Sequence, residues 1–172
     1  MLTSIVSAVH RISDWLDWLA KMICIPTALG FVIILLVQIF IRFVIHGSIA
    51  WSLEVIQVCF FWSVFMGISI SWKDRSHIMF HFVIERLSPA LQGFVLQFGY
   101  AAALVFFVYV VIYGFQDSIR LAPSYFEVLG VSENWSQIPV PFSGFIMAVH
   151  TIDRIFQQLL ANDDIVGSVD GS

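Results

Sequence analysis

The 172-residue chain is 59% hydrophobic and 12% charged, with formal net charge −4 and mean hydropathy +0.91. Soluble domains carry about 25% charged residues, so this composition excludes an ordinary water-soluble fold and points to a single all-α integral membrane domain over residues 1–172. No basic patch is large enough for nucleic acid, and Cys24 and Cys59 lie in apolar runs without CxxC spacing, so neither a disulfide nor a thiolate metal centre is expected.

The first 21 residues are not a cleavable signal, because His10, Arg11, Asp14 and Asp17 interrupt the apolar run. Ile5, Val6, Val9, Ile12, Leu16 and Leu19 recur at three- and four-residue steps, with Trp15 and Trp18 nearby. This amphipathic segment either lies in the membrane interface or leads as a soluble helix into the first span. That span is expected over residues 22–44, bounded by Lys21 and by Arg42 and His46.

The second span is expected over residues 55–72 and opens on Glu54. A carboxylate at a membrane boundary needs water or a partner, and Arg42 is the nearest expected cation. Gln57, one turn further in, calls for an interhelical hydrogen bond. Ser63, Gly67 and Ser71 fall at four-residue steps, a spacing that lets helices approach closely, and Trp62 is either lipid-facing or a packing anchor. Lys73, Arg75 and His77 are expected to form a basic turn that sets topology and binds phospholipid headgroups.

The segment IMFHFVIERL is too short and too polar to cross, and is expected as a short interfacial helix ended by Ser88 and Pro89. A third span over residues 91–113 leads to the longest polar connection, which holds Glu127 and Glu133. The fourth span is expected over residues 138–156, with Pro139 in its first turn, and residues 162–172 as a disordered tail.

Four spans place both termini on one side. That side would carry Arg11, Lys21, Lys73, Arg75, Arg86 and Arg154 against Arg42 and Arg120 on the other, which predicts cytoplasmic termini. No nucleophile elbow, phosphate loop or HExxH motif is present, and no paired interrupted helices, so neither an enzyme nor a self-sufficient carrier is expected. His150 is the one histidine placed within a span. A haem-binding membrane cytochrome subunit using it and a second histidine is an alternative, as is a self-associating accessory protein.

The ordered series Glu54, Trp62, Gly67, Lys73, Arg75, His77 and Ile78 resembles the small membrane subunit of the tripartite ATP-independent periplasmic (TRAP) transporters. The length, the four-span plan and the Trp135–Pro139 entry to the last span fit the same family, whereas Gln57 and Ser76 depart from it. The resemblance implies a non-catalytic inner-membrane subunit without a cofactor. It would pack on the scaffold of a large permease subunit that carries the substrate and sodium sites. It would also help dock a periplasmic substrate-binding protein that delivers an organic carboxylate. Glu127 and Glu133 are then docking candidates, and Glu54, Gln57, Trp62, Ser63, Gly67 and Ser71 are candidates for the partner or helix interface.

Overall fold

A computed structural model describes residues 2–84 and 89–169, with side chains described for residues 6–74, 93, 95 and 97–158. Four long helices form the molecule: α1 (Leu2–Phe40), α2 (Ser52–Ile84), α3 (Pro89–Leu121) and α5 (Pro139–Val169). A short helix, α4 (Asn134–Gln137), interrupts the connection between α3 and α5. α1 packs chiefly on α2 and α3 chiefly on α5, while α5 also meets α1 and α2. The all-α membrane architecture expected from composition is therefore present. Among the described residues, three helical segments are long and apolar enough to cross a bilayer, Val6–Ile45, Ser52–Asp74 and Gln97–Leu121.

Three boundaries differ from expectation. The N-terminal amphipathic segment is not a separate element, because α1 continues through it into the first span. Pro26 lies inside α1, and the Thr27 hydroxyl donates back to the Ile23 and Cys24 carbonyls at 2.7 and 3.1 Å, supplying a donor next to the one proline lacks. The basic turn at residues 73–77 is helical, and the expected interfacial helix is the continuation of α2 as far as Ile84. Lys, Asp, Arg and Ser are polar but do not break helices, and no Gly or Pro occurs between Trp72 and Ser88. The segment expected as a disordered tail is helical up to Val169.

α1 ends in a π-helical turn, Ile41–Ile45, closed by His46 in the left-handed conformation (φ 57°), whose N–H donates to the Ile41 carbonyl. The core is small: Leu16 and Ala20 of α1, Met66 of α2 and Ile146 of α5 are buried together, with Trp62, Ile70 and Phe142 against them. α3 and α5 approach each other closely at two glycines. A Cβ at Gly114 would stand 3.0 Å from Pro141 Cδ, and one at Gly144 would stand 3.0 Å from a Val110 methyl. At Gly67, where the small-residue spacing predicted close approach, an added Cβ would meet only Cys24 Sγ at 3.9 Å, an ordinary contact.

Candidate functional site

Two polar assemblies sit at opposite ends of the bundle. At the end away from the termini, Glu54 lies in the first turn of α2. Its Oε1 accepts the Val128 N–H at 3.0 Å and its Oε2 the Leu129 N–H at 2.8 Å. Arg42, the partner expected from sequence, is exposed and does not take this role. The carboxylate instead clamps the tip of the connection between α3 and α5. Both of its oxygens are used, in hydrogen bonds strengthened by charge.

That connection is ordered by its own backbone. Phe126 N–H donates to the Val131 carbonyl at 2.9 Å, Gly130 N–H to Phe126 at 3.1 Å and Glu133 N–H to Ser124 at 2.9 Å. Gly130 takes a left-handed conformation (φ 64°) at the turn, where a side chain would be strained. Two turns deeper in α2, the Trp62 indole N–H donates to the Trp135 carbonyl at 2.9 Å. The Ser118 hydroxyl is hydrogen-bonded to Asn134 Oδ1, tying α3 to the start of α4. Glu54 and Trp62, both singled out by sequence, thus hold one loop from one helix. Glu127 is exposed on that loop and Glu133 is half-buried.

Gln57 is exposed and makes no hydrogen bond among the described residues. Ser63 and Gly67 are half-buried and face α1, where Cys24 Sγ lies 3.5 Å from the Ser63 carbonyl, while Ser71 is exposed. The side chains of Arg75 and His77 lie outside the described residues.

At the other end, α1, α2 and α5 share a charged knot that sequence reasoning did not assemble. Lys73 Nζ reaches Asp14 Oδ1 at 2.8 Å, the Ser13 carbonyl at 3.4 Å and Asp17 Oδ2 at 3.7 Å. Lys21 pairs with Asp17 at 2.7 Å. From α5, His150 Nδ1 bonds the Ser13 hydroxyl at 2.7 Å and Asp153 Oδ2 bonds His10 Nδ1 at 3.1 Å. Arg154 donates to the Lys73 carbonyl at 3.1 Å, and the Trp72 indole to Thr151 Oγ1 at 3.1 Å. His150, Thr151 and Asp153 are all buried. Asp17 Oδ1, His150 Nε2 and Asp153 Oδ1 are buried without a partner among the described residues, the kind of capacity that ordered water fills in buried polar clusters.

The signal for this knot was in the spacing. Ser13, Asp17 and Lys21 share one helical face, as do His150, Asp153, Arg154 and Gln157, but which face meets which is a tertiary fact.

Among the described residues no three His, Cys, Asp or Glu side chains are grouped to hold a metal ion. A groove of about 490 Å³ between α3 and α5, lined by Val111, Phe115, Pro141, Phe142 and Phe145 among others, presents no cationic side chain to an anionic ligand. What the arrangement provides is rigidity: a loop clamped at one end and three helices cross-bonded at the other.

Comparison with known proteins identifies a transporter family. The family model described as "Tripartite ATP-independent periplasmic transporters, DctQ component" matches residues 31–161. The chain is similar to the sialic acid TRAP transporter small permease protein SiaQ of Vibrio cholerae, at 25% identity over 138 residues covering 79% of each chain. The cytochrome alternative rested on His150, whose Nδ1 bonds Ser13 and whose Nε2 has no partner among the described residues; the family match points to a transporter component instead.

Proposed function

This chain belongs to the DctQ-component family of the tripartite ATP-independent periplasmic transporters, and we propose that it is the small non-catalytic subunit of a sodium-driven importer of an organic carboxylate. It packs on the scaffold of a large permease subunit and presents its outer loop to a periplasmic substrate-binding protein. The relative's name specifies sialic acid, a carboxylate, which supports the substrate class and no closer identification.

The observation that carries this reading is the Glu54 clamp. A long surface loop ordinarily moves. Here one carboxylate fixes its tip to α2 through two backbone N–H groups. Such a loop is pre-organised, so a docking partner spends less free energy on ordering it. Glu127 on its surface is a docking contact and Glu133 at its base is a second.

The large subunit meets the outward face of α2. Leu53, Gln57, Phe60, Val64, Ile68 and Ser71 recur at three- and four-residue steps and are all exposed. An amide left against lipid is costly, and TM helices associate through such polar groups and small residues. Gln57 near one end and Ser71 near the other therefore favour protein over lipid on this face. α5 completes a fourth span, and the termini are cytoplasmic, in keeping with the lysine and arginine distribution of the sequence.

A photo-crosslinker at position 57, 60 or 68, in membranes that also contain the cognate large permease, tests the arrangement. The expected product joins the two subunits, and substrate uptake requires both. Efficient sodium-dependent uptake by the large permease and binding protein without this chain would defeat the reading.

A further inference from the structure

One face of α1 stays exposed along almost the whole helix. Arg11, Trp15, Trp18, Met22, Ile25 and Leu29 follow one another at steps of four and three, and the stripe runs on to Phe40 and Phe43. Trp15 is 59% exposed and Trp18 56%, high values for the most bilayer-interface-prone of side chains. Other polar side chains of the same segment are held in the knot: Ser13 and Asp17 are buried, Ser13 bonding His150, and Asp14, exposed at the edge of the face, bonds Lys73.

Length says what this face meets. Residues 15 to 43 rise about 42 Å along a helix, equal to the roughly 40–45 Å of a bilayer with its headgroup regions. With Trp15 and Phe43 at the two outer edges of that thickness, Trp18 lies about 4.5 Å inside its edge, in a headgroup layer about 5–7 Å deep. Both levels lie within the headgroup layer.

Composition says the same. Between Trp15 and Phe40 the stripe has no Gly, Ala, Ser or amide, the residues through which helices pair in membranes. It therefore differs from the α2 face that carries Gln57 and Ser71. Its single charge, Arg11, stands at the outer end, where lipid phosphates lie.

We propose that the segment of α1 from Arg11 to Met22 is a lipid-interface anchor. Trp15 and Trp18 sit among the phospholipid headgroups and glycerol backbones of the leaflet on the terminal side, and Arg11 sits on their phosphates. The occupant of this face is the bilayer itself. The anchor holds the charged knot of α1, α2 and α5 at headgroup depth, and it stands whether or not the transport reading does.

Nitroxide labels placed singly at positions 11, 15, 18, 25 and 32 test it. The full chain carries Cys24→Ala and Cys59→Ala and sits in phosphatidylethanolamine–phosphatidylglycerol vesicles, alone and with the cognate large permease. Oxygen collides with labels in lipid, and a water-soluble nickel chelate with labels in water. The expected oxygen-to-nickel ratio is high at 25 and 32 and falls stepwise, severalfold in total, through 18 and 15 to 11. Low collision with both reagents at 15 and 18 would mean that protein covers the face. Nickel accessibility there equal to that of a soluble helix would mean free solvent. Either result overturns the proposal.

Should the labels disturb folding, tryptophan quenching by bromolipids gives a second readout. The unmodified chain is expected to lose more fluorescence to bromine near the headgroup end of the acyl chain than the Trp15→Phe/Trp18→Phe chain does. Equal quenching of the two overturns the anchor.

Discussion

Glu54 Oε2 and the Leu129 N–H are 2.8 Å apart across 75 positions of sequence. With the Val128 N–H on the other oxygen, this pair converts a surface connection into a fixed platform on α2.

Glu54→Ala should release that platform. Two hydrogen bonds to a charged acceptor are lost, each worth about 1.5–3 kcal/mol before discounting for partial exposure. Amide exchange of residues 126–131 is expected to accelerate at least tenfold, while α2 keeps its protection. Glu54→Gln retains one acceptor and should show an intermediate rate. Unchanged exchange in the alanine variant would mean that the loop's own backbone bonds suffice.

The docking role predicts a separable effect. Reversing Glu127 or Glu133 to Lys should lower uptake severalfold at limiting binding-protein concentration and leave subunit assembly intact. The defect should shrink when binding protein is in excess, because electrostatic contacts act mainly on association rate. Uptake that stays normal at every concentration would remove these two carboxylates from the interface.

Gln57 tests the α2 face. Interhelical side-chain hydrogen bonds in membranes are worth about 0.6 kcal/mol on average and up to about 1.7. Gln57→Leu should therefore weaken association with the large permease by roughly threefold, and by no more than about twentyfold, measured by subunit exchange in detergent. Loss of the amide without any change in exchange would assign this face to lipid.

The charged knot gives a stability prediction. Lys73→Met leaves the exposed Asp14 without its bonded cation and Asp17 with Lys21 alone, so the cost falls between the ~1 kcal/mol of an exposed pair and the ~3–5 kcal/mol of a buried one. A lower unfolding temperature is expected. Neutralising the carboxylates as well, in Lys73→Met/Asp14→Asn/Asp17→Asn, should recover much of the loss. No recovery would show that the lysine stem, packed between helices, matters more than its charge.

How much of this was legible in sequence follows from range. Membrane helices are local, and their apolar runs announced them. Glu54 stood out because a carboxylate at a span boundary demands a partner, but its partners are backbone N–H groups 74 and 75 residues away, which no side-chain pattern marks. Lys73 was read as part of a turn because polarity was taken for a break, although nothing in the segment prevents a helix. The knot is not legible because its members fall in three separate places, Asp14 and Asp17 in the N-terminal amphipathic segment, Lys73 in an expected turn and His150 in a span, and only the packing of α1, α2 and α5 encloses Lys73 and Asp17, with side chains 16% and 12% exposed.

The glycines separate spacing from packing most sharply. Ser63, Gly67 and Ser71 have the interval associated with close helix approach, yet a Cβ at Gly67 finds 3.9 Å of room. Gly144 has only Ala148 at that interval and leaves only 3.0 Å to Val110. A methyl inserted there must displace a β-branched side chain with few alternative rotamers, and overpacking of this kind costs about 1–3 kcal/mol. Gly144→Ala is expected to lower thermal stability and loosen α3 from α5. Gly67→Ala should be neutral or slightly stabilising, since alanine gains helix propensity without a clash. Companion variants decide the cause: Gly144→Ala/Val110→Ala should restore stability if the lost space was the reason. If Gly67→Ala proves the more damaging of the two, the tight approach lies between α1 and α2 after all.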